Sequence, residues 1–313
     1  MTVGRRMTYL EVDGVAKPVS RLVLRTMVMQ PGTLPLTHEL MDGFVEAGGT
    51  AIDTARIYGS ESVVGLWLQL SSMRDRLVVI GKGCGPGRVR PECLAEDLRH
   101  SLEATRLDYF DLYLLHRDDP DVPVGELVDA LNEHKRAGRI RAFGASNWTT
   151  GRLGEANAYA KANGLAGFVV SSPNLSLATQ NEEAWPGTAS VSDRPGELRW
   201  YEAEQYPVLS WSSRARGFFT ARAHPGDRSD GELVRVWYSE RNWERRRRAA
   251  DLGAALGATA NQVALAWVLH QRFPTAALIG PASAEEAADS YGALRIELTA
   301  DQVAWLNLER DQP

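Results

Sequence analysis

The sequence predicts an α/β fold, a (β/α)8 TIM barrel that begins with a β-hairpin. Short apolar, β-rich runs alternate along the chain with stretches of helical spacing. Successive strand starts lie roughly thirty residues apart through the first five units, the length of a strand–helix–strand repeat. Two connections are much longer than usual, and both follow a strand, so we expect long loops on the C-terminal rim, where barrel enzymes keep their active sites.

The eight barrel strands can be assigned in chain order. A hairpin around Asp13 and Gly14 comes first and is expected to close the barrel floor. The predicted strands are Leu22–Met27, Gly49–Asp53, Leu77–Lys82, Phe110–His116, Ile140–Ser146, Gly167–Ser171, Val208–Trp211 and Ala276–Gly280. No linker divides the chain, so one domain is expected over residues 1–313.

Helical spacing fills the connections between these strands. Leu94, Leu98 and Leu102 follow Pro91, which suits a first helical turn, and a last helix is predicted over 299–308. The two long connections span 173–206 and 212–242. Their position after a strand places both on the predicted active-site rim.

Bulk composition narrows the function classes. The 313 residues are 44% hydrophobic and 24% charged, as in an ordinary globular protein. The net charge of -5 argues against a nucleic-acid partner, which usually requires a basic domain. One basic run, Arg245–Arg248, points in four directions if helical, so we expect a solvated helix start there.

Cysteine content and apolar runs indicate a cytoplasmic protein. Cys84 and Cys93 are the only cysteines, too few for a disulfide scaffold, and no metal site is apparent. Residues 1–10 lack the apolar core of a signal peptide, and no run approaches the length of a membrane span. No membrane partner is therefore expected.

Polar, titratable residues stand at the ends of three consecutive strands. Asp53, Lys82 and His116 end the second, third and fourth strands, and Tyr58 follows Asp53 by a short loop. Parallel barrel strands end at one rim, so the four side chains should converge. Singly, each has an ordinary structural role, such as a helix cap or a core histidine. Their joint occurrence in chain order favours a site.

These four groups would suit carbonyl reduction. Asp53 is the natural partner of a buried Lys82, because desolvation disfavours an unpaired ammonium. That ammonium would stabilise a phenolate, which makes Tyr58 a usable general acid. His116 could donate a hydrogen bond to the substrate carbonyl and stabilise the developing oxyanion.

Three segments carry a resemblance to a known family. Residues 53–59 read Asp-Thr-Ala-Arg-Ile-Tyr-Gly, residues 111–116 read Asp-Leu-Tyr-Leu-Leu-His, and residues 144–148 read Gly-Ala-Ser-Asn-Trp. With Lys82 they resemble the signatures of the aldo-keto reductases along nearly the whole chain. Asp53, Tyr58, Lys82 and His116 match that family's catalytic tetrad one by one.

The resemblance implies an NADP or NAD cofactor held on the rim without a Rossmann fingerprint. Trp211 matches an aromatic residue that stacks on the nicotinamide, and Ser171 stands where relatives usually have Gln. Arg25 replaces a usual Gly and either faces outward or narrows the site. The residues implied at the nicotinamide end are Thr26, Met27, Asp53, Ser146, Asn147, Ser171 and Trp211.

The same resemblance assigns the rest of the cofactor. A belt around the pyrophosphate is implied for Ser212, Ser213, Arg214, Arg216 and Gly217. Gly280, Ala282, Glu286 and Ser290 would meet the adenosine, with Ser290 in place of a usual Asn. Many relatives that prefer NADPH carry a basic residue in this segment, whereas Ala282 and Glu286 offer none. We therefore expect NADH to serve at least as well as NADPH.

Substrate choice is expected to lie in the rim loops. Trp148, Trp185 and Trp200 could offer flat apolar faces to a sugar or another ring, with polar edges from Arg117, Asp118 and Asp119. Residues 171–177 resemble bacterial relatives of carbohydrate or polyol metabolism. The expected partner is thus a small carbonyl or hydroxyl compound, such as a keto-sugar, aldose or cyclitol, and the oligomeric state stays open.

Two other readings remain. The family includes potassium-channel β-subunits, so a nucleotide-binding regulatory or sensor subunit with vestigial reductase activity is the alternative. A barrel also hosts other chemistries, such as an aldolase that uses Lys82 as a Schiff base. Turnover of simple aldehydes would distinguish a reductase from the regulatory subunit. Borohydride trapping on Lys82 would distinguish the aldolase from a reductase.

Overall fold

A computed structural model describes residues 7–313 of the chain as a closed parallel barrel behind a short hairpin. The strands are β1 (Tyr9–Val12), β2 (Val15–Ser20), β3 (Leu22–Arg25), β4 (Ala51–Asp53), β5 (Val78–Gly83), β6 (Phe110–Leu115), β7 (Ile140–Ser146), β8 (Ser171–Ser172), β9 (Val208–Ser210) and β10 (Thr275–Ile279). Strands β3 to β10 follow one another around the barrel, and β10 pairs with β3 to close it. The predicted TIM barrel with its amino-terminal hairpin is confirmed.

Helices alternate with the barrel strands and surround them. They are α1 (Leu34–Glu46), α2 (Glu61–Ser71), α3 (Pro91–Thr105), α4 (Val124–Arg136), α5 (Thr150–Ala162), α6 (Pro195–Glu204), α7 (Gly231–Trp237), α8 (Glu240–Leu256), α9 (Ala260–Leu269), α10 (Ala284–Gly292) and α11 (Ala300–Leu306). Every residue of β5, β6 and β10 is buried, because helices cover the outside of a parallel barrel and side chains fill its inside. The rim is the part of the barrel left for a site.

The sixth barrel strand differs most from its predicted bounds. Only Ser171 and Ser172 form the ladder of β8, whereas a strand over 167–171 was expected. The preceding residues still approach β7, since the Val169 amide donates to the Phe143 carbonyl at 3.0 Å. The strand therefore starts four residues later and includes Ser172.

The hairpin of β1 and β2 contacts the amino-terminal ends of β5 and β6. Lys17, on β2, makes a 2.6 Å ion pair with Asp111, near the start of β6. Arg74 contacts the other oxygen of the Asp111 carboxylate at 2.7 Å, and the Asp111 side chain is only 3% exposed. These contacts lie at the barrel floor, opposite the rim.

The two long connections are folded against each other. The first contains α6, and the second contains a 3-10 turn, Ala215–Gly217, and α7. The Asn174 amide donates to the Trp211 carbonyl at 2.9 Å, and the Asn181 amide N–H donates to the Val236 carbonyl at 2.8 Å. These hydrogen bonds hold the rim segments in defined positions.

The arginine run lies within α8 rather than at its start. The helix begins at Glu240, and Arg245 is only 7% exposed, so the expectation of a solvated helix start is wrong for that residue. Arg247 does face solvent, where it pairs with Glu244 and Asp251. The four side chains point in different directions, as helical geometry requires.

Between residues 7 and 313 no single helix is long and apolar enough to cross a membrane; α8 and α9, which meet at a bend of 98°, are long and apolar enough only when taken together. In the same range, no group of three His, Cys, Asp or Glu side chains is placed to hold a metal ion. Part of the segment 1–10, where no signal peptide is expected, lies outside the described residues.

Candidate active site

Four side chains from three neighbouring barrel units converge on the rim. Asp53 ends β4, Lys82 lies near the end of β5, and His116 directly follows β6. Tyr58 is the last residue of the 3-10 turn Arg56–Tyr58, and Gly59, left-handed at φ 73°, caps that turn. The first three side chains are nearly inaccessible, with exposures of 0%, 2% and 6%.

Lys82 connects the buried carboxylate to the phenol. Its ammonium forms an ion pair with Asp53 Oδ1, donates to the Thr54 carbonyl at 3.3 Å and lies 3.4 Å from Tyr58 Oη. Asp53 Oδ2 has no hydrogen-bond partner among the described residues. The carboxylate thus neutralises an ammonium that faces the Tyr58 hydroxyl, as the sequence suggested.

His116 forms the opposite wall of the site. Its ring is 5.7 Å from the Tyr58 ring, centroid to centroid, at an angle of 82°. Burial holds the pKa of His116 well below its ordinary value, and the positive charges of Lys82, Arg117 and Arg25 act in the same direction. The imidazole is therefore neutral at pH 7 and carries one N–H donor.

Arg25 faces the tyrosine, which decides between the two orientations that the sequence allowed. Its Nε donates to Tyr58 Oη at 3.1 Å, and its guanidinium lies 4.9 Å from the centre of the Tyr58 ring. One terminal nitrogen donates to the Met27 sulfur at 3.2 Å. A second cation therefore contacts the phenol, beside Lys82.

These groups border a cavity of about 440 Å³. Its walls combine aromatic and proline surfaces with a few polar groups, a composition typical of small-molecule sites. The lining residues are Arg25, Met27, Ile57, Tyr58, Lys82, Pro86, His116, Arg117, Ser146, Asn147, Ser172, Trp185, Pro186, Thr188, Trp211 and Leu278. We call this the catalytic cavity.

Asn147 organises one side of the catalytic cavity. It adopts a left-handed conformation, with φ 67°, and its amide nitrogen donates to the His116 carbonyl at 3.1 Å. Its amide oxygen accepts from the Trp211 indole N–H, also at 3.1 Å. Ser146 lines the cavity beside it and donates to the Ser172 carbonyl at 2.7 Å. Asn147 thereby fixes the Trp211 ring at the cavity edge.

Ser171 does not reach the catalytic cavity. Its hydroxyl shares a 2.8 Å hydrogen bond with the Tyr201 hydroxyl, on the far side of β8. Ser172 lines the cavity instead, because adjacent residues of a strand point to opposite faces. A cofactor contact through the Ser171 side chain is therefore not supported.

Of the tryptophans predicted near substrate, Trp185 lines the catalytic cavity and Trp148 does not. Trp185 and Trp211 lie 5.6 Å apart, centroid to centroid. Trp148 is fully buried, packs on Phe168, and donates its indole N–H to the Arg117 carbonyl at 3.0 Å. Its role is to support the cavity wall rather than to touch a ligand. Trp200 packs on Tyr201 and Tyr206 and does not line the cavity either.

A second cavity, of about 920 Å³, continues from the first and shares Arg25, Met27 and Leu278 with it. We call it the cofactor cavity. Ser212, Ser213, Arg214, Arg216 and Gly217, the predicted pyrophosphate belt, all line it. Within that belt Ser212, Arg216 and Gly217 are left-handed, at φ 47°, 54° and 87°. Backbone turns of this kind direct N–H groups into a concavity that suits an anion.

The far end of the cofactor cavity is acidic. Ser283 caps α10, and Glu285, Glu286 and Asp289 line the cavity beside Gly280. Glu286 also accepts a hydrogen bond from the Ala282 amide at 2.9 Å. Helix α10 thus presents three carboxylates to the cavity, where a basic residue would favour a phosphate.

Two other residues implied in cofactor contact lie behind the cavity walls. Thr26 is fully buried, where its hydroxyl contacts the Asp53 carbonyl at 3.1 Å and the Ser60 hydroxyl at 2.8 Å. Ser290 is also fully buried and donates to the Glu286 carbonyl at 2.8 Å. Ser290 thus bonds a residue that lines the cofactor cavity, Glu286, whereas the partners of Thr26 line neither cavity.

The chain is similar to known proteins over most of its length. The model of the aldo/keto reductase family matches residues 32–307. The chain belongs to that family. An uncharacterized oxidoreductase of Bacillus subtilis, YrpG, is 29% identical to this aldo-keto reductase, over 96% of the chain and 94% of that protein.

Solved aldo-keto reductases share the fold of this reductase. The thermostable Tm1743, crystallised with the inhibitor epalrestat, superposes with a TM-score of 0.77 at 23% identity, over 96% of this chain and 99% of that one. A Klebsiella pneumoniae aldo/keto reductase, in complex with NADP and acetate, gives a TM-score of 0.73 at 24% identity, over 99% and 97%. The protein is an NAD(P)H-dependent enzyme of carbonyl reduction.

The residues of the reductase fit a nicotinamide dinucleotide. The two cavities form one groove with an aromatic face, Trp211, at the catalytic end and, in its middle, a turn with left-handed residues whose geometry suits an anion. Arg214 is half-buried in that groove without an ion pair among the described residues, and burial lowers the pKa of its guanidinium. Ser212 to Gly217 would hold the pyrophosphate, and Asn147 and Ser146 would meet the carboxamide.

Sequence reasoning missed several lining residues. Ser172 and Thr188 enter the catalytic cavity, and Asn261 and Asp289 enter the cofactor cavity. Ser172 could have been found by extending the sixth strand one residue, since its neighbour Ser171 was already assigned. Thr188 and Asn261 come from a loop and from α9, and no local pattern indicated their direction.

Proposed function

We propose that this reductase acts on a keto-sugar, aldose or cyclitol with Tyr58 as the general acid. The observation that carries the proposal is the Tyr58 hydroxyl at the wall of the catalytic cavity, 3.4 Å from the Lys82 ammonium. A phenol held against a cation can give up a proton and regain it, which is what carbonyl reduction requires of its acid.

The bound nicotinamide dinucleotide would supply the hydride. Tyr58 Oη delivers a proton to the carbonyl oxygen, and Lys82 stabilises the phenolate that results. Asp53 keeps the ammonium charged inside the barrel, since an unpaired buried lysine tends to lose its proton. His116, held neutral, donates a hydrogen bond to the same oxygen and stabilises its developing charge.

The walls of the catalytic cavity support a polar, ring-sized substrate. Trp185 and Trp211 offer two neighbouring flat faces, and Ser172 and Thr188 add hydroxyl groups nearby. A volume of about 440 Å³ lies at the lower end of the range for ligand sites. Aromatic faces bind the C–H side of a sugar ring while hydroxyls bind its edge.

We further propose that NADH is used at least as well as NADPH. Glu285, Glu286 and Asp289 line the adenosine end of the cofactor cavity. A carboxylate there repels a 2′-phosphate and accepts a hydrogen bond from a free ribose hydroxyl.

We also propose a cytoplasmic location. It is supported by two free cysteines, which suit a reducing compartment.

The test measures cofactor binding and turnover separately. Nicotinamide fluorescence on titration with NADH and NADPH gives both dissociation constants, and absorbance decay with aldehydes, keto-sugars and inososes gives turnover. Tyr58→Phe is expected to bind cofactor as the wild type does and to lose about 10²- to 10⁴-fold in kcat. Tyr159→Phe is the matched control, since its hydroxyl bonds Asp129 at the surface.

Two results would contradict the proposal. Full activity in Tyr58→Phe would remove the tyrosine from the chemistry. Cofactor binding without turnover of any carbonyl would favour the regulatory or sensor alternative.

A further inference from the structure

The catalytic cavity has an uncompensated positive charge. Three cations line it, Arg25, Lys82 and Arg117, and no Asp or Glu belongs to that lining. Asp53, buried beneath, neutralises Lys82. Neither arginine makes an ion pair with any residue between 7 and 313, so their two charges face the cavity without a counter-ion. Glu183 acts on Arg117 only at longer range.

Both arginines retain hydrogen-bond donors. Arg25 uses Nε on Tyr58 and one terminal nitrogen on a thioether, a weak acceptor. Arg117 donates from Nη1 to the His116 carbonyl at 2.9 Å and from Nε to the Pro186 carbonyl at 3.3 Å. A guanidinium carries five N–H donors, so each side chain has several left for a ligand.

The position of these charges is costly without a ligand. The Arg117 side chain is largely buried, and burial lowers the pKa of its guanidinium, with the positive charge of Arg25 adding to that effect. Two like charges beside the same small cavity disfavour each other as well. An anion placed between them would relieve both penalties.

The cofactor cavity contrasts with this arrangement. Two of the arginines that line only that cavity have acidic partners, since Arg222 pairs with Asp230 at 2.5 Å and Arg216 approaches Glu232 at 3.8 Å. Arg214 lies within the field of Glu286, which partly offsets its charge. Arg117 lines only the catalytic cavity and Arg25 lies where the two cavities meet, and neither has a carboxylate partner among the described residues.

We propose that Arg25 and Arg117 form an anion subsite beside Tyr58, so that the preferred substrate is a carbonyl compound that carries a carboxylate. A planar guanidinium matches the two oxygens of a carboxylate, and the cavity volume suits a compact anion. This inference rests on the proposed reductase function and narrows its substrate from sugars and cyclitols to their acidic forms.

The experiment compares acids with uncharged isosteres in the same reaction. Wild-type enzyme is assayed with the 2-, 3- and 4-formylbenzoates and with their methyl esters, and the acid-to-ester ratio of kcat/KM is taken for each isomer. At least one acid is expected to exceed its ester by about tenfold or more. That ratio is expected to fall with rising salt, because screening weakens the pairing.

Variants then locate the effect. Arg25→Gly and Arg117→Gln are each expected to lower the acid-to-ester ratio by roughly 10- to 100-fold. Arg25→Lys keeps the charge but loses the planar fork and should give an intermediate ratio. The control is Arg99→Gln, which removes one charge from an exposed pair with Glu103 on α3. Because each ratio is internal to one protein, a change in the folded fraction cancels.

The outcomes separate this inference from the function beneath it. Turnover of the esters with no acid preference would overturn the subsite and leave the reductase intact. Loss of NADH affinity in Arg25→Gly at an unchanged ratio would assign that guanidinium to the cofactor and also overturn the subsite. No turnover of any aldehyde would refute the reductase function itself.

Discussion

Removing the carboxylate charge of Asp53 should lower the free energy of unfolding by more than the small change in side-chain size suggests. Asp53 is fully buried and Lys82 is 2% exposed, so Asp53→Asn leaves an ammonium inside the barrel without its counter-charge. Breaking such a pair costs about 3 to 5 kcal/mol of unfolding free energy. Among the described residues, the other acceptors within reach of the Lys82 nitrogen are the Thr54 carbonyl, at 3.3 Å, and the Tyr58 hydroxyl, and the carbonyl carries no charge.

A double substitution separates charge from shape. Asp53→Asn with Lys82→Met removes both charges and should recover most of the loss, to within about 1 kcal/mol of wild type, because a neutral, well-packed replacement of a buried pair is often tolerated. Urea denaturation followed by circular dichroism measures all three proteins. Glu103→Gln, which breaks an exposed pair on α3, serves as control and should cost at most about 0.5 kcal/mol.

The reasoning fails if Asp53→Asn costs less than about 1 kcal/mol, a loss typical of an ordinary substitution. It also fails if the double variant is as unstable as the single one. Either result would mean that the Lys82 charge is solvated or compensated by groups other than Asp53.

Three further predictions concern packing, cofactor choice and pH. Gly65→Ala should destabilise the protein by about 1 to 3 kcal/mol, because the added carbon would lie 2.4 Å from a backbone oxygen of α3. Gly43→Ala places its carbon in open space and should stabilise the protein by about 0.4 to 1 kcal/mol. Thermal melts compare the two variants. Glu286→Gln should tighten NADPH binding more than NADH binding in fluorescence titrations, and equal changes would contradict the repulsion. The pKa of His116 is lowered in the folded protein, so below pH about 6.5 the unfolded chain binds a proton that the folded one excludes. The free energy of unfolding should therefore fall with decreasing pH, by up to about 1.4 kcal/mol per pH unit. In pH-dependent denaturation, His116→Gln should flatten that slope and leave the smaller part due to His134, whose pKa is also lowered.

Much of the barrel could be predicted because its strands are locally encoded. Strand β6 is continuously apolar or aromatic around Asp111, and all of it is buried, so the run and the strand coincide. Strand β8 was placed less well, since two serines and a proline follow its apolar residues and only neighbouring strands define its ladder. Predicted helices begin at residues such as Pro91 and Thr299, which the structure places at a first turn and at a cap.

The site divides along the same line. Asp53, Lys82 and His116 could be brought together from the sequence, because each ends a strand and parallel strands end at one rim. Trp148 and Ser171 occupy the expected positions in the chain, but their side chains point away from the cavity. The direction of a side chain at a strand end depends on which residue last joins the ladder, and that residue is set by the neighbouring strand.

The sequence by itself thus determined the barrel, its rim and the four polar groups at its centre, because apolar period and strand-end position are local properties. Only the tertiary structure decided that Arg25 turns inward onto Tyr58 and that Arg117 lies beside it without a carboxylate. Charge balance in a cavity is a sum over residues distant in the chain. No segment of the sequence contains that sum, so it emerges only when the barrel closes.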